Sequence, residues 1–265
     1  MSETSFFSSP CKAGAIAIDV EHVSKGFGNR MVLEDVNIHV SPGEIFVLMG
    51  PSGSGKSVFL SLLAGLSQVS GGQIYFNREN LQQVKRKQRY VIALVFQSGA
   101  LFNSLTVFDN LALYLREHRM YGASEIEQRV LRMLEMLALK EVAFVRPSEL
   151  SGGMRKRVAL ARGLLMEPDV LLFDEPTSEL DPVTAASIIE LIGYVNRQTH
   201  ITTFIVSHDV MLAQSIGNHI ALLQSGHIQE LYTAQTLVQS THPFVRNFLQ
   251  PTINLNQPKF LSALS

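Results

Sequence analysis

Two kinds of apolar run alternate along this chain. Ile45–Met49 (IFVLM), Val170–Phe173 (VLLF) and Thr202–Ser207 (TTFIVS) are continuous, the pattern of strands buried on both faces. Ala15–Val23 alternates in part and predicts a strand, and Val32–Val40 predicts a second. Ser41-Pro42-Gly43 separates them from Ile45 as a turn, since Pro fixes φ and Gly permits positive φ. Val58–Leu66 is apolar at most positions, as in a buried helix. Gly71-Gly72 predicts a turn, Ile74–Phe76 and Ala93–Phe96 short strands. Glu125–Leu139 places apolar residues at Ile126, Val130, Leu131, Leu134 and Leu137, which is helical spacing. Met154–Leu165 predicts another helix, and Asp181-Pro182 a helix start with Asp as cap and Pro in the first turn. His219–Leu223 and His227–Leu231, split by Ser225-Gly226, read as a hairpin, and Pro243–Leu249 as a short helix.

This order gives an α/β chain. Residues 1–250 read as one domain, with a core of about 15–97 and 165–235 and an inserted helical subdomain of about 98–164. Residues 251–265 show no clear period and read as a C-terminal extension. The 265 residues, 46% hydrophobic and 17% charged, suit a well-filled core. A net charge of −1 gives no basic field, so a nucleic-acid partner has no electrostatic support. Cys11 is the only cysteine; an internal disulfide is excluded and a reducing cytoplasm fits. MSETSFFSSPCKAG has neither the basic start nor the apolar run of a signal peptide. Nor does any stretch reach the roughly 18 apolar residues of a membrane span. A membrane task is therefore expected to proceed by docking on a partner.

Three segments carry the chemistry. Gly50–Ser57 (GPSGSGKS) lies between a buried strand and a helix, where backbone N–H groups and the helix N-terminus cradle phosphates. Its residues Gly50, Pro51, Ser52, Gly53, Ser54 and Gly55 form the loop, Lys56 reaches the β- and γ-phosphates, and Ser57 ligates Mg²⁺. Asp174 and Glu175 close an apolar strand, Asp174 as a second Mg²⁺ group and Glu175 to orient and polarise the attacking water. Leu150–Met154 (LSGGM) precedes a helix, so Ser151, Gly152 and Gly153 form a second anion site. One γ-phosphate cannot sit on two helix N-termini of one compact domain, but it can sit between two subunits facing head to tail. An ATPase working as a dimer is the expectation. Each segment has a bland alternative, a chance Gly/Ser loop, a solvated acidic pair, an ordinary capped helix, and only their joint order sets these aside.

Taken together these motifs resemble the nucleotide-binding subunit of an ATP-binding-cassette (ABC) transporter, over about Ile16 to Leu249. The resemblance implies a P-loop NTPase cassette with a mostly parallel core sheet, an antiparallel β edge and an inserted helical subdomain. It also implies further site residues. Phe27 in SKGFGNR matches the aromatic stacked on adenine, and Gln97 the glutamine that senses Mg²⁺ and the membrane partner. Ser178–Asp181 matches the loop that crosses the dimer, and His208 the histidine at the γ-phosphate. One position departs: Met154 stands where the family usually has Gln and cannot make its polar contact. LSGGM followed by Arg155, Lys156 and Arg157, Val95–His118 and PFVRNFL are similar to ATPases of Mla/Mce-type lipid transporters, which maintain outer-membrane lipid asymmetry.

The resemblance implies ATP and Mg²⁺, a homodimer of cassettes, a permease, an Mce-domain substrate-binding protein and a STAS-domain subunit. It places the chain peripherally on the cytoplasmic face of the inner membrane, driving phospholipid transport. An amino-acid or drug transporter ATPase and a soluble ABC-type switch are the alternatives; one phosphate loop and no sustained heptad array weigh against the switch. Lys85–Arg89 could meet anionic lipid headgroups but reads rather as a solvated helix or loop face, and Arg155–Arg157 as serving the dimer interface and general phosphate attraction. Ala100–Leu115, with Leu101, Phe102, Leu105, Val107 and Phe108, is the expected permease dock. Phe260 and Leu261 favour a contact for the extension.

Overall fold

The computed structural model describes residues 15–242 together with Val245, Arg246 and Leu249. Cys11, most of Pro243–Leu249 and the extension 251–265 lie outside the described residues. In chain order the elements are β1 (Ile18–Phe27), β2 (Arg30–Val40), β3 (Ile45–Met49), α1 (Lys56–Leu63), β4 (Gly71–Phe76), β5 (Glu79–Asn80), α2 (Leu81–Lys87) and β6 (Ile92–Val95). Then follow α3 (Val107–Glu117), α4 (Ala123–Met136), α5 (Gly152–Leu165), β7 (Val170–Asp174), α6 (Pro182–Thr199), β8 (Thr202–Ser207), α7 (Val210–Ile216), β9 (His219–Gln224), β10 (His227–Tyr232) and α8 (Ala234–Gln239).

The strands form two sheets. A six-stranded sheet has the order β10-β9-β3-β8-β7-β6, parallel except for the β9–β10 hairpin. An antiparallel four-stranded sheet has the order β2-β1-β4-β5. The continuous runs occupy the parallel strands because both faces are covered: all of β3 and all of β8 are buried. Side-chain alternation then splits the core in two. Ile45, Val47 and Met49 face one cluster with Leu171, Phe173 and Ile205, joined by α3, α4 and α5. Phe46 and Leu48 face the other with Leu172, Phe204 and Val206, joined by α1 and the antiparallel sheet. In that second cluster Phe204 stacks on Phe46 at 5.2 Å and meets Phe59 at 5.6 Å. Along β2, where one face meets water, exposed and buried residues alternate from Val36 to Val40.

Two local expectations need correction. Gly71 and Gly72 belong to β4 and are not a turn. Gly72 has φ +75°, and a Cβ there would lie 2.2 Å from the His22 carbonyl oxygen, where β1 shifts register. A glycine pair inside a strand thus marks a close backbone approach at a bulge. The helix expected from Met154 begins at Gly152, because Ser151 caps it by accepting from Met154 N–H at 3.3 Å. Asp181 caps α6 as expected, accepting from Val183 and Thr184 N–H at 3.1 and 3.0 Å.

The expected docking segment is partly core. Val107, Leu111 and Leu115 are fully buried under α4 and α5, whereas Phe102 is 52% exposed. Asn110, also fully buried, fixes the loop that carries Phe102. Its Nδ2 donates to the Phe102 and Thr106 carbonyls at 3.0 and 2.9 Å, and its Oδ1 accepts from Phe102 N–H at 2.8 Å. Asn110→Ala strands those buried groups, so it should cost about 3 kcal/mol and lower the melting temperature by roughly 6–10 °C. Thermal unfolding measures this, and a drop below about 2 °C would show that the loop is held by other contacts.

Candidate functional site

β3, β8, β7 and β6 lie side by side and run in one direction, so the chain leaves all four at one edge of the sheet. Gly50, His208, Glu175 and Gln97 follow these strands within one or two residues. The carboxyl edge of a parallel sheet is where such folds place their ligands.

After β3 the chain can turn only at glycine. A Cβ on Gly50 would lie 2.4 Å from the Leu223 carbonyl oxygen on neighbouring β9. Gly55 caps α1 with φ +106°, a conformation that L side chains rarely adopt. Lys56 is buried within the loop, donating to the Gly50 and Pro51 carbonyls at 2.8 and 3.1 Å. Its Nζ lies 3.6 Å from Glu175 Oε1. Ser54 Oγ is buried in the same loop with no hydrogen-bond partner among the described residues.

Parallel pairing of β7 with β8 aligns Asp174 with Val206 and so brings Glu175 beside Ser207 and His208. Glu175 is buried, with φ +47°, a left-handed backbone that costs on the order of 1–3 kcal/mol in a non-glycine residue. Neighbours hold it there. Its N–H donates to the Val206 carbonyl at 2.9 Å. Its Oε2 accepts from Ser207 Oγ and His208 N–H, both at 3.2 Å, and lies 2.9 Å from His208 Nδ1. Asp174 Oδ1 accepts from Ser57 Oγ at 3.2 Å. Burial pushes the Asp174 carboxyl up from its ordinary range; the Ser57 hydroxyl opposes this and the Glu175 charge adds to it.

Lys56, Ser57, Asp174, Glu175 and His208 therefore meet as the sequence suggests. Five other expected residues, in three places, stand apart. Phe27, at the tip of the β1–β2 hairpin, is 55% exposed with Lys25 Nζ 4.8 Å from its ring centroid. Ser151, Gly152 and Gly153 open α5, and no hydrogen bond or ion pair joins them to that cluster. Gly153 packs on α6, where a Cβ would lie 2.4 Å from Thr184 Cγ2. The side chain of Gln97 is exposed; its backbone carbonyl accepts from Lys156 Nζ at 2.5 Å.

The basic run expected at a dimer interface is engaged within its own chain. Arg155 donates to the Leu150 carbonyl, Arg157 to the Leu137 carbonyl, and Lys156 turns toward the acidic strand end. Lys156 and Ser207 are the residues that sequence reasoning missed. A lysine among three basic residues gives no sign of which one points inward, and Ser207 gains meaning only from strand pairing. Lys85–Lys87 end α2 and Gln88 and Arg89 follow it, all five exposed as expected; Lys85 donates to the Gly65 carbonyl and Arg89 pairs with Glu79.

The raised Asp174 carboxyl has a consequence for stability. A folded-state value above the ordinary 3.8 means that the folded state favours the neutral acid. The wild type therefore loses stability as pH rises through that shifted value. Asp174→Asn keeps an acceptor for Ser57 and removes the charge. In EDTA without nucleotide, its melting temperature should exceed that of the wild type at pH 8 and converge on it toward pH 4. Equal melting curves at both pH values would contradict the burial cost assigned to the Asp174 carboxylate.

Comparison with known proteins supplies the family. A family model described as ABC transporter matches residues 33–178. The chain is 39% identical over 236 residues to the intermembrane phospholipid transport system ATP-binding protein MlaF of Escherichia coli (strain K12), covering 88% of each chain. It is 40% identical over 238 residues to the probable ribonucleotide transport ATP-binding protein mkl of Mycobacterium leprae (strain TN), covering 88% of this chain and 69% of that one. Among solved structures, the ATP-binding cassette MJ0796, a dimer in a post-hydrolysis state bound to ADP and Pi, is 31% identical with a TM-score of 0.72. That match covers 82% of this chain and 98% of the other. The cluster at the sheet edge sits in an ABC transporter ATP-binding cassette, and the chain belongs to that family of ATPases.

Proposed function

We propose that this chain is the ATP-hydrolysing subunit of a phospholipid transporter, acting as a homodimer that encloses two Mg²⁺–ATP. One observation carries the mechanism: Lys56, Ser57, Asp174, Glu175 and His208 converge at one sheet edge while Ser151–Gly153 have no bond to them. A γ-phosphate touching both sets calls for a second copy. The division into a core of about 15–97 and 165–235 with a helical subdomain of about 98–164 belongs to this reading; the one hydrophobic cluster shared by β3 and α3–α5 supports treating 1–250 as a single domain.

The residues fit the groups they would hold. Gly50 leaves no room for a side chain, and the Ser54 hydroxyl is buried without a partner among the described residues, in the loop where phosphate would lie. Ser57 Oγ and Asp174 Oδ1, 3.2 Å apart, are the hard oxygen donors Mg²⁺ takes, with Gln97 as a further ligand. When bound, the cation neutralises charge developing on the phosphates. Lys56 turns its donors from the Gly50 and Pro51 carbonyls to the β- and γ-phosphates. Glu175 orients the attacking water and draws its proton, held in place by Ser207 and His208. His208 and the partner copy's Ser151–Gly153 then meet the γ-phosphate, and Phe27 stacks on adenine. Cleavage removes the bridge between copies and lets them part.

The lipid assignment rests on 39% identity across 88% of the E. coli phospholipid transport protein. A ribonucleotide or other transport ATPase is the second reading, favoured by the equal likeness to the M. leprae protein. A permease, an Mce-domain protein and a STAS-domain subunit are the proposed partners, with the chain peripheral on the cytoplasmic face of the inner membrane. No helix among the described residues is long and apolar enough to cross a membrane. Docking is assigned to the face around Phe102 and Phe144, the latter 76% exposed and 5.9 Å from Phe108.

Two measurements test this reading. Glu175→Gln should lower turnover about 10²–10⁴-fold while ATP still binds and holds a closed dimer; normal steady-state hydrolysis would remove Glu175 from its role. Affinity purification of the full chain from detergent-solubilised membranes should bring a permease, an Mce-domain protein and bound phospholipid. Phe102→Asp should lose the permease. A permease without lipid partners would sink the phospholipid assignment and leave the ATPase mechanism standing.

A further inference from the structure

Helix α5 carries two cations on the side that faces the Gln97 loop. Arg162 Nη1 and Nη2 donate to the Ala100 and Gly99 carbonyls at 2.7 and 2.9 Å. Lys156, six residues earlier, is half-buried, and its ammonium makes three contacts. Nζ donates to the Gln97 carbonyl at 2.5 Å, to the Glu175 carbonyl at 3.1 Å and to Ser178 Oγ at 3.2 Å. Ser178 Oγ donates in turn to the same Glu175 carbonyl at 2.8 Å. All three donor positions of a lysine are thus used, on two segments besides its own helix. Burial disfavours the ammonium and lowers its pKa; the charges of Glu179, Glu175 and Asp174 oppose this.

The segments so joined have different origins. Lys156 rides on the helix opened by Ser151–Gly153, Gln97 lies two residues past β6, and Glu175 and Ser178 belong to the loop after β7. Glu175 also keeps a strained left-handed backbone, which persists only where neighbours over-determine it. We infer that Lys156 is a positioning residue for ATP hydrolysis: a charged strut that locks the Gln97 loop and the Ser178 turn onto the Glu175 backbone. Movement of α5 or of the Gln97 loop then reaches the Glu175 carboxylate through one ammonium. This inference rests on the hydrolytic role proposed for Glu175.

The test uses the full chain, purified with the subunits that accompany it. Lys156→Met keeps the stem and removes charge and donors. Its kcat should fall about 10- to 100-fold, the scale expected when a reacting group shifts by about an ångström, with KM for ATP within about threefold. Lys156→Arg keeps a charged donor and should retain kcat within about threefold; it also serves if the Met variant fails to fold. Ser178→Ala combined with Lys156→Met should lose much less than the product of the single losses, because both act on one carbonyl. Wild-type kcat in Lys156→Met, an equal loss in Lys156→Arg, or losses that multiply would each overturn the inference. Glu175→Gln in the same assay separates the two levels. If it still hydrolyses ATP, the site reading falls and takes this inference with it; if it is silent while Lys156→Met turns over normally, only the inference falls.

Discussion

The parallel hydrogen-bond register of β3, β8, β7 and β6 is the constraint on which the site depends. Pairing of Met49 with Ser207 and of Asp174 with Val206 sets the phosphate loop, Glu175 and His208 at one height above the sheet. A slip of one residue would send the apolar side chains of a strand to the opposite face and move its terminal carboxylate or histidine out of reach. The same register fills both hydrophobic clusters, since alternate residues of every central strand enter opposite sides. Packing therefore fixes the chemistry: the sheet cannot shift without emptying one core into the other.

Charge at this edge is concentrated and only partly compensated. Asp174 and Glu175 are adjacent, Lys56 and Lys156 are both drawn toward them, and burial works against the ionised form of Asp174 and of Lys156. Glu175 adds backbone strain. Such costs are tolerated where a preorganised arrangement is needed, and they are offset by the surrounding apolar sheet rather than within the site.

Helix α5 serves two sides. Its N-terminus, capped by Ser151, presents Gly152 and Gly153 beside α6, while its flank holds the Gln97 loop through Lys156 and Arg162. Met154 leaves the polar pattern of the motif and packs against the helical cluster instead. The segment after Gln97 divides likewise, with Val107 and Leu111 committed to the core and Phe102 left outside by the Asn110 clamp.

The sequence by itself determined much of this. Continuous apolar runs located β3, β7 and β8 nearly to the residue, because strands buried on both faces admit few polar side chains. Glycine spacing located the tight loop after β3, because backbone sterics allow few other residues at Gly50 and Gly55. Capping chemistry located the start of α6. Gly71-Gly72 misled as a turn because a close approach between strands uses the same residue as a bend. Strand order, and with it the pairing of Glu175 with Ser207 and His208, was decided only by tertiary structure, since it depends on residues more than thirty positions apart. The inward turn of Lys156 was hidden for the same reason: three successive cations look alike in sequence, and only packing decides which of them turns inward.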